Sequence, residues 1–555
     1  MTRPIAALAA LLPRRADYAE LPRSWGRDLL AGVTVGVVAL PLALAFGISS
    51  GAGAAAGLTT AVIAGAVAAI FGGSHVQVSG PTGAMAVVLA PIVAVYGPAS
   101  LALVTVMAGL IVLTAGATGL GRAVTFIPWP VIEGFTLGIA TIIFLQQIPA
   151  AVGQPAPAGK PPLVGAVTVL AHVPGTAWWP PALIAAFVVV LMVVLPRLHR
   201  AIPESLAAIV AATALVGLTG LSVGRIGALP AHLPAPLWPQ ADLAALRTLG
   251  GAAVAVAALA AIESLLSARV AATMSPTGPY DPNRELAGQG LASVASGLFG
   301  GMPATGAIAR TAVNIRAGAR TRVAAITHSV LLLGVVYLAS GPVATIPLAA
   351  LSAVLMVTSF RMISARTVGT ILRSTRSDAA TFTLTAVVTV CFDLIEAVEI
   401  GILVAAFFAL RVVARRSSVT REDLPGTPQP GDERIALLRL DGAMFFGAAE
   451  RIWSTIADDR HPDVDVVIIR MSQLGMLDAT GAHTLAQIAE DLEARGVTVI
   501  IKGVQPEHLR LLANVGVIDS LRHENHLVEG LDEAIAHART HVRPPGAAAP
   551  GPVPR

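Results

Sequence analysis

Apolar stretches of bilayer length recur from Leu29 to about residue 410. That repetition constrains the chain more than any other feature. A full membrane crossing takes about 20 residues in a helix. Such segments are expected at 29–48, 52–71, 100–120, 126–148, 180–197, 203–221, 248–272, 285–300, 322–340, 343–360, 378–395 and 397–413. Two more, at 83–96 and 306–316, are too short or too interrupted to cross alone. Each follows Gly and Pro, so each reads as a half-helix entered from extended chain. Only 13% of residues are charged and 55% are hydrophobic, whereas soluble domains carry about 25% charge. Water cannot host that much apolar surface and a bilayer can. The expected fold is an all-α polytopic membrane domain of fourteen segments.

Arginine placement supports this layout. With the N-terminus inside, the inner loops carry Arg122, Arg197, Arg200, Arg269, Arg284, Arg316, Arg320, Arg322 and the arginines from Arg361 to Arg416. The outer loops carry only Lys160, Arg225 and Arg247. Such asymmetry follows the positive-inside rule. Residues 1–28 are Arg-rich and read as a cytoplasmic lead-in without a cleavable signal peptide. Both termini are expected in the cytoplasm and the protein in the inner (plasma) membrane. The net charge of +4 is spread over short loops, which excludes a nucleic-acid stripe. The single cysteine, Cys391, excludes a disulfide framework or a cysteine metal cluster. It reads as a packing residue. Asp393, Glu396 and Glu399 read as a solvated outer turn.

The chain also repeats itself. Residues 70–84 read IFGGSHVQVSGPTGA and residues 298–307 read LFGGMPATGA. In both, an apolar span ends in Phe-Gly-Gly, at Phe71 and Phe299, and leads through Pro, Thr, Gly and Ala into a half-helix. Seven segments per half is an odd number, so the second copy enters upside down, giving a 7+7 inverted repeat. Two interrupted helices at matching places in inverted halves point to a transport site.

The amides at a helix N-terminus lack intrahelical partners and carry the positive end of the helix dipole. They bind anions without help from lysine. The expected substrate site is Gly80, Thr82 and Gly83 in the first copy and Thr305, Gly306, Ala307 and Ile308 in the second. The glycines and Ala307 are small enough to leave amides open, and the two threonine hydroxyls can donate to an anion. Arg310, about one turn into the second half-helix, adds a full positive charge at bilayer depth, where charge is expensive and functional by default. Glu263 is the only acid in the span VAALAAIESLLSARVAA, with Ser264 and Ser267 nearby. Glu263 and Ser267 form the expected coupling site, able to bind a proton or hold Na⁺. No other cofactor or metal is expected. Glu133 sits nearer an interface, and His75, Gln77, Gln146 and His328 read as structural hydrogen-bonders.

After Arg416 the composition changes. Residues 417–432 read as a linker. Residues 433–542 read as a small α/β domain, with strands at 435–440, 464–470 and 497–502 and helices at 447–458, 481–495 and 506–515. Residues 543–555 read as a disordered Pro/Ala/Gly tail.

At these motifs the chain resembles the SulP (sulfate permease) family of anion transporters. The likeness rests on AGVTVGVVALPLALAFGISSG at 31–51, FGGSHVQVSGPTGA at 71–84, AIESLLSARVA at 261–271, NRELAGQGLASVASGLFGG at 283–301 and ATGAIARTAVNIRAGA at 304–319. DGAMFFGAAE at 441–450 and LDATGAHTL at 477–485 resemble a STAS domain. The resemblance implies a core and a gate, an anion site between the third and tenth segments, elevator-like movement and a homodimer. It maps Thr82 to the third segment, Gly306 to Arg310 to the tenth and Glu263 to the eighth. The family's sodium-coupled bicarbonate branch carries Asp and Thr where this chain has Glu263 and Ser267, a departure that favours proton symport. Soluble STAS relatives are phosphorylated at the position of Thr480. Here Thr480 reads first as the cap of a helix starting near Gly481, and second as a regulatory site through which the domain meets a protein partner.

The expected function is secondary active transport of sulfate, bicarbonate or a dicarboxylate. Proton coupling is expected, and the alternative is a sodium-coupled bicarbonate symporter or an uncoupled exchanger or channel of the same fold. A membrane-anchored signalling protein needs neither paired half-helices nor an intramembrane Arg310 and Glu263. No nucleotide loop or nucleophile–base constellation suggests an enzyme.

Overall fold

A computed structural model describes residues 12–122, 128–157, 160–172, 177–199, 203–239, 242–391, 400, 403–404, 406–408, 410–411, 413–414, 417–445, 449, 452–453, 456, 464–521 and 523–542. The chain forms two compact units, Met1–Ile402 and Leu403–Arg555.

The first unit is helical. It begins with α1 (Leu21–Ser49), α2 (Ala54–Phe71), α3 (Gly83–Tyr96), α4 (Ser100–Ala117) and α5 (Trp129–Ala151). Next come α6 (Pro162–Ala171), α7 (Trp179–Leu198), α8 (Glu204–Thr219), α9 (Leu243–Met274), α10 (Pro282–Leu298) and α11 (Ile308–Arg316). The last are α12 (Val323–Leu338), α13 (Ser340–Ala344), α14 (Leu348–Met362), α15 (Ala365–Leu372) and α16 (Arg376–Cys391). Among the described residues, seven helices are long and apolar enough to cross a membrane. Large apolar side chains point away from the protein interior. Leu218 and Leu338 are each 88% exposed, which a helix tolerates when its outer solvent is lipid.

The half-helices behave as their lengths dictate. At 1.5 Å per residue, the 14 residues of α3 reach about 21 Å and the 9 residues of α11 about 14 Å. Neither spans a hydrocarbon core of about 30 Å. Extended chain precedes both, and there β1 (Ser79–Gly80) pairs antiparallel with β2 (Thr305–Gly306). The half-helices leave this meeting point in opposite directions. Val93 of α3 lies beside Gly51, past the end of α1, and Gly318, past the end of α11, approaches Arg27 near its start.

Small residues bring backbones together, as is common where lipid replaces water. A Cβ on Gly290 of α10 would lie 2.4 Å from the Leu113 nitrogen of α4, and one on Gly109 would lie 2.7 Å from the Val294 nitrogen. Gly57 of α2 would similarly meet the Ala43 carbonyl of α1 at 2.0 Å.

Two carboxylates tie the start of α1 to distant elements. Asp28, fully buried, accepts the Arg320 and Thr321 amides at 2.7 and 3.0 Å and the Thr321 hydroxyl at 2.7 Å. Asp17, just before α1, accepts both guanidinium nitrogens of Arg284 at 2.9 and 2.5 Å, with Arg322 3.7 Å away. Burial opposes charge on Asp17, but the Arg284 hydrogen bond, the Arg14 amide and the nearby arginines outweigh it and hold its pKa at about 2.

In the second unit β3 (Ser418–Glu422) pairs antiparallel with β4 (Ile435–Met444). The strands β5 (Val466–Arg470), β6 (Leu474–Leu477), β7 (Thr498–Lys502) and β8 (Leu527–Val528) join in parallel, in the order β3-β4-β5-β7-β8 with β6 on β4. The helices are α17 (Ala479–Ala494), α18 (Pro506–Val515) and α19 (Leu531–Thr540). Alternation along the strands sorts the core. Leu438, Val467, Ile469, Val499 and Ile501 join Leu485 of α17 and Leu512 of α18. Leu437, Val466, Ile468 and Ile500 instead meet Ala534, Ile535 and Ala538 of α19. A parallel sheet covered on both faces needs both residue sets apolar.

Several expectations are corrected. The stretch read as a linker contributes the edge strand β3, which follows Thr and Val patterning that its charged neighbours Arg421 and Glu422 disguise. Thr480 is not the helix cap: Asp478 takes that role, accepting the Gly481 amide at 2.7 Å, and Thr480 lies exposed in the first turn. An acid at the cap serves the helix dipole better than a hydroxyl. Cys391 is exposed rather than packed, at the end of a helix with an apolar outer face. Residues 162–171, which fall between two of the expected segments, form α6. Asp393, Glu396, Glu399, the tail and about half of the last segment lie outside the described residues.

Gly290→Val should wedge α4 from α10. Overpacking of a tight contact costs about 1–3 kcal/mol, so the thermal midpoint of detergent-solubilised protein should fall, with no such fall for Gly251→Val, where a Cβ meets open space. The ionised Asp17 contributes stability in full above its ordinary value of 3.8, and loses it as pH falls through about 2. Asp17→Asn should therefore open the lead-in to trypsin at neutral pH, while wild-type protection stays constant between about pH 5 and 8.

Candidate anion site between two half-helices

The strand pairing places the N-termini of α3 and α11 side by side. Thr82 caps α3, its hydroxyl accepting the Met85 amide at 3.4 Å, and Ala86 is the first residue to donate back to the helix, to the Thr82 carbonyl. The Gly83 and Ala84 amides precede that first bond. In α11 the first such donor is Thr311, to Ala307, so the amides of Ile308, Ala309 and Arg310 form the open turn. Ile308 and Ala309 are exposed, whereas Gly83 to Leu89 of α3 are buried.

Two expected amides are spent on structure. The Gly306 N–H donates to Ser264 Oγ at 3.2 Å and the Ala307 N–H to the Val78 carbonyl at 2.9 Å. They belong to the joint between the strands and α9. The threonines also have a partner. Both hydroxyls donate to one oxygen of Glu263, Thr82 at 2.9 Å and Thr305 at 2.8 Å, and they lie 3.2 Å from each other. One carboxylate of α9 thus bridges the tips of both half-helices.

Arg310 is 2% exposed. Its Nη2 donates to the Pro81 carbonyl at 2.7 Å, and its Nη1 has no hydrogen-bonding partner. Gly80 makes room for this group. A Cβ there would lie 2.7 Å from Nη1, and the φ of +155° is one that other residues rarely adopt. Arg310 forms no ion pair with Glu263 among the described residues, though it is near enough to act on it through charge. A buried donor without a partner is costly, and this one lies beside Gly80 of the strand that leads into α3.

Ser267 is one turn from Glu263 on α9 and bonds elsewhere. Its hydroxyl is 3.4 Å from that of Thr311, which in turn accepts the Val78 amide at 3.0 Å. Gln77 donates to the Ser264 carbonyl at 3.3 Å, and Glu133 accepts the Trp129 indole at 3.0 Å. His328 is wholly buried with neither ring nitrogen partnered.

Sequence reasoning missed a supporting layer. Asn314 donates to the Val76 carbonyl at 2.8 Å. Gln289 donates to Ser79 Oγ at 2.5 Å and to Glu285 at 3.0 Å, and Glu285 accepts the Gly73 and Ser74 amides at 2.8 and 3.0 Å. The signal was helical spacing: Arg310, Thr311 and Asn314 share one face of α11, and Glu285 and Gln289 are one turn apart on α10.

The model of the sulfate permease family matches residues 26–385, and that of the STAS domain residues 429–534. The chain belongs to the sulfate permease family. It is therefore an anion transporter and not an enzyme. YvdB of Bacillus subtilis, a provisionally named sulfate transporter, is 33% identical over 91% of this chain and 96% of its own. The bicarbonate transporter BicA of Synechocystis is 33% identical over 88% and 90%. The transmembrane domain of a cyanobacterial BicA superposes with a TM-score of 0.61 at 35% identity, covering 69% of this chain and 97% of that one. The murine Slc26a9 anion transporter, at 17% identity, superposes with a TM-score of 0.83 over 96% and 95%, so this chain shares its fold, a helical membrane domain followed by a STAS domain.

Gly306→Ala should perturb the site without touching a charge. Its Cβ would fall 1.7 Å from Gln77 Nε2. A repacking cost of about 1–3 kcal/mol corresponds to about 5–150-fold in affinity, read as a raised KM for uptake in proteoliposomes.

Proposed function

We propose that this protein is a proton-coupled symporter of a small anion such as sulfate, bicarbonate or a dicarboxylate, binding it at the open first turns of α3 and α11 beside Arg310. The observation that carries this reading is the single carboxylate oxygen of Glu263 taking both threonine hydroxyls. While Glu263 is ionised, Thr82 and Thr305 point their protons at it, and its charge repels an anion at the same tips. A proton on Glu263 removes that charge and releases the two hydroxyls as donors. Anion and proton then bind better together than apart, which is the thermodynamic content of symport. Arg310 Nη1 supplies the remaining charge-assisted donor.

Na⁺ is the second reading. Glu263, Thr82 and Thr305 offer three oxygens within 3.2 Å of one another, a hard-ligand set. A relative of 33% identity bears the name of a bicarbonate transporter. Under either reading the half-helices keep their mutual contacts while the bundle that holds them moves against the remaining helices, an elevator-like step within a homodimer. By the arginine asymmetry the start of α1, next to Asp17, faces the cytoplasm of a cell whose plasma membrane holds the protein. The STAS domain, with Thr480 exposed on it, regulates transport or assembly through a protein partner.

The test is uptake into proteoliposomes, with a panel of anions under separate proton and sodium gradients. Accumulation should follow the proton gradient. Glu263→Gln should retain anion flux yet lose its dependence on that gradient, and wild-type coupling in this variant would overturn the assignment. Arg310→Ala should weaken uptake by at least about 30-fold, because truncating a buried charge partner costs about 2–5 kcal/mol. Its elution on size exclusion should match wild type.

A further inference from the structure

The STAS domain carries a histidine cluster that the transport reading leaves unused. His526 ends the short 3-10 turn before β8, and His537 and His541 stand one turn apart at the end of α19. The ring centroids of His526 lie 5.4 Å from those of His537 and 5.1 Å from those of His541, and the last two are 4.9 Å apart. One nitrogen from each ring falls within 4.8 Å of the other two. His526 is fully buried, yet neither of its ring nitrogens finds a well-formed hydrogen-bond partner, and Nε2 of His537 is likewise buried without one. Buried polar atoms ordinarily find partners, so the unpartnered nitrogens of His526 and His537, converging with His541, call for a common one.

We propose that His526, His537 and His541 bind a divalent d-block cation of the zinc class. Imidazole suits Zn²⁺, Ni²⁺ and Cu²⁺, and excludes Mg²⁺ and Ca²⁺, which take oxygen ligands. In a tetrahedral site with bonds of about 2.0–2.1 Å the nitrogens stand about 3.4 Å apart. The rings therefore need to close by about 1 Å, within the reach of side-chain rotation. The fourth position is left to water or to His523, whose exposed ring lies 5.5 Å from His526. The metal pins α19 to the sheet at β8. Arg539 on the same helix already holds the turn before β4 through Asp432 at 2.8 Å, so the cation staples the last helix of the domain from its other side.

The test uses the full-length protein in detergent, purified without a polyhistidine tag and stripped with chelator. After equilibrium dialysis against Zn²⁺, elemental analysis should give one metal per chain. Co²⁺ in its place should give the visible absorption of a tetrahedral nitrogen site, and Zn²⁺ should raise the unfolding temperature of the STAS domain. Changing an outer-shell group at a metal site already costs about 10–100-fold in affinity. His537→Gln and His541→Gln, both partly buried, should therefore each weaken binding by more than about tenfold. His483→Gln, elsewhere in the domain, should leave it unchanged. Circular dichroism matching wild type shows that these variants fold. The proposal fails if the stripped protein takes up no stoichiometric Zn²⁺, or if either site variant folds and binds as tightly as wild type.

Discussion

The short antiparallel pairing of residues 79–80 with 305–306 is the contact on which the membrane unit depends. Without it two half-helices would end in hydrocarbon with their first amides bare, an expensive arrangement in a medium without water. With it, part of that demand is met by the partner strand and part by Ser264 and Val78, and what remains is concentrated at Gly83, Ala84 and Ile308 to Arg310. The pairing thus solves a problem of backbone satisfaction and sets the remaining open amides of the two half-helices beside each other. Supporting side chains serve the strands: Gln289 of α10 and Asn314 and Thr311 of α11 each bond the segment 76–79.

The elements that the sequence made readable were those with a dominating local signal. Bilayer-length apolar runs gave most helices to within a few residues, and the expected half-helix at 83–96 coincides with α3. The Phe-Gly-Gly repeats led to the two strands that pair. Side-chain partnership was harder to read, because hydrogen bonds across 181 and 42 residues, from Thr82 and Thr305 to Glu263, leave no mark on spacing. The hydroxyls expected to face an anion face a carboxylate instead. Gly306 and Ala307 look alike in sequence to any small residue at a helix start, and only the fold reveals that α9 and β1 consume their amides.

In the second unit, periodicity located β4, β5 and β7 because both faces are apolar, and passed over the short strands β6 and β8. It missed β3, an edge strand whose residues are mostly solvated. Edge strands carry charge to discourage pairing with other chains, and the same charges hide them from a hydrophobicity reading. Arg439 and Arg470 bind Glu422 across the sheet at its rim, so the charged residues that concealed the strand also fasten it.

Asp28 has a wider consequence than its local bonds. A single carboxylate grips the backbone just after α11 and the first turns of α1 at once, while Gly57 locks α1 against α2. The half-helix α11 therefore cannot change height in the bilayer alone. Whatever shifts it must carry the first two helices along as cargo, and the hinges of any transport cycle belong where these helices meet their outer neighbours.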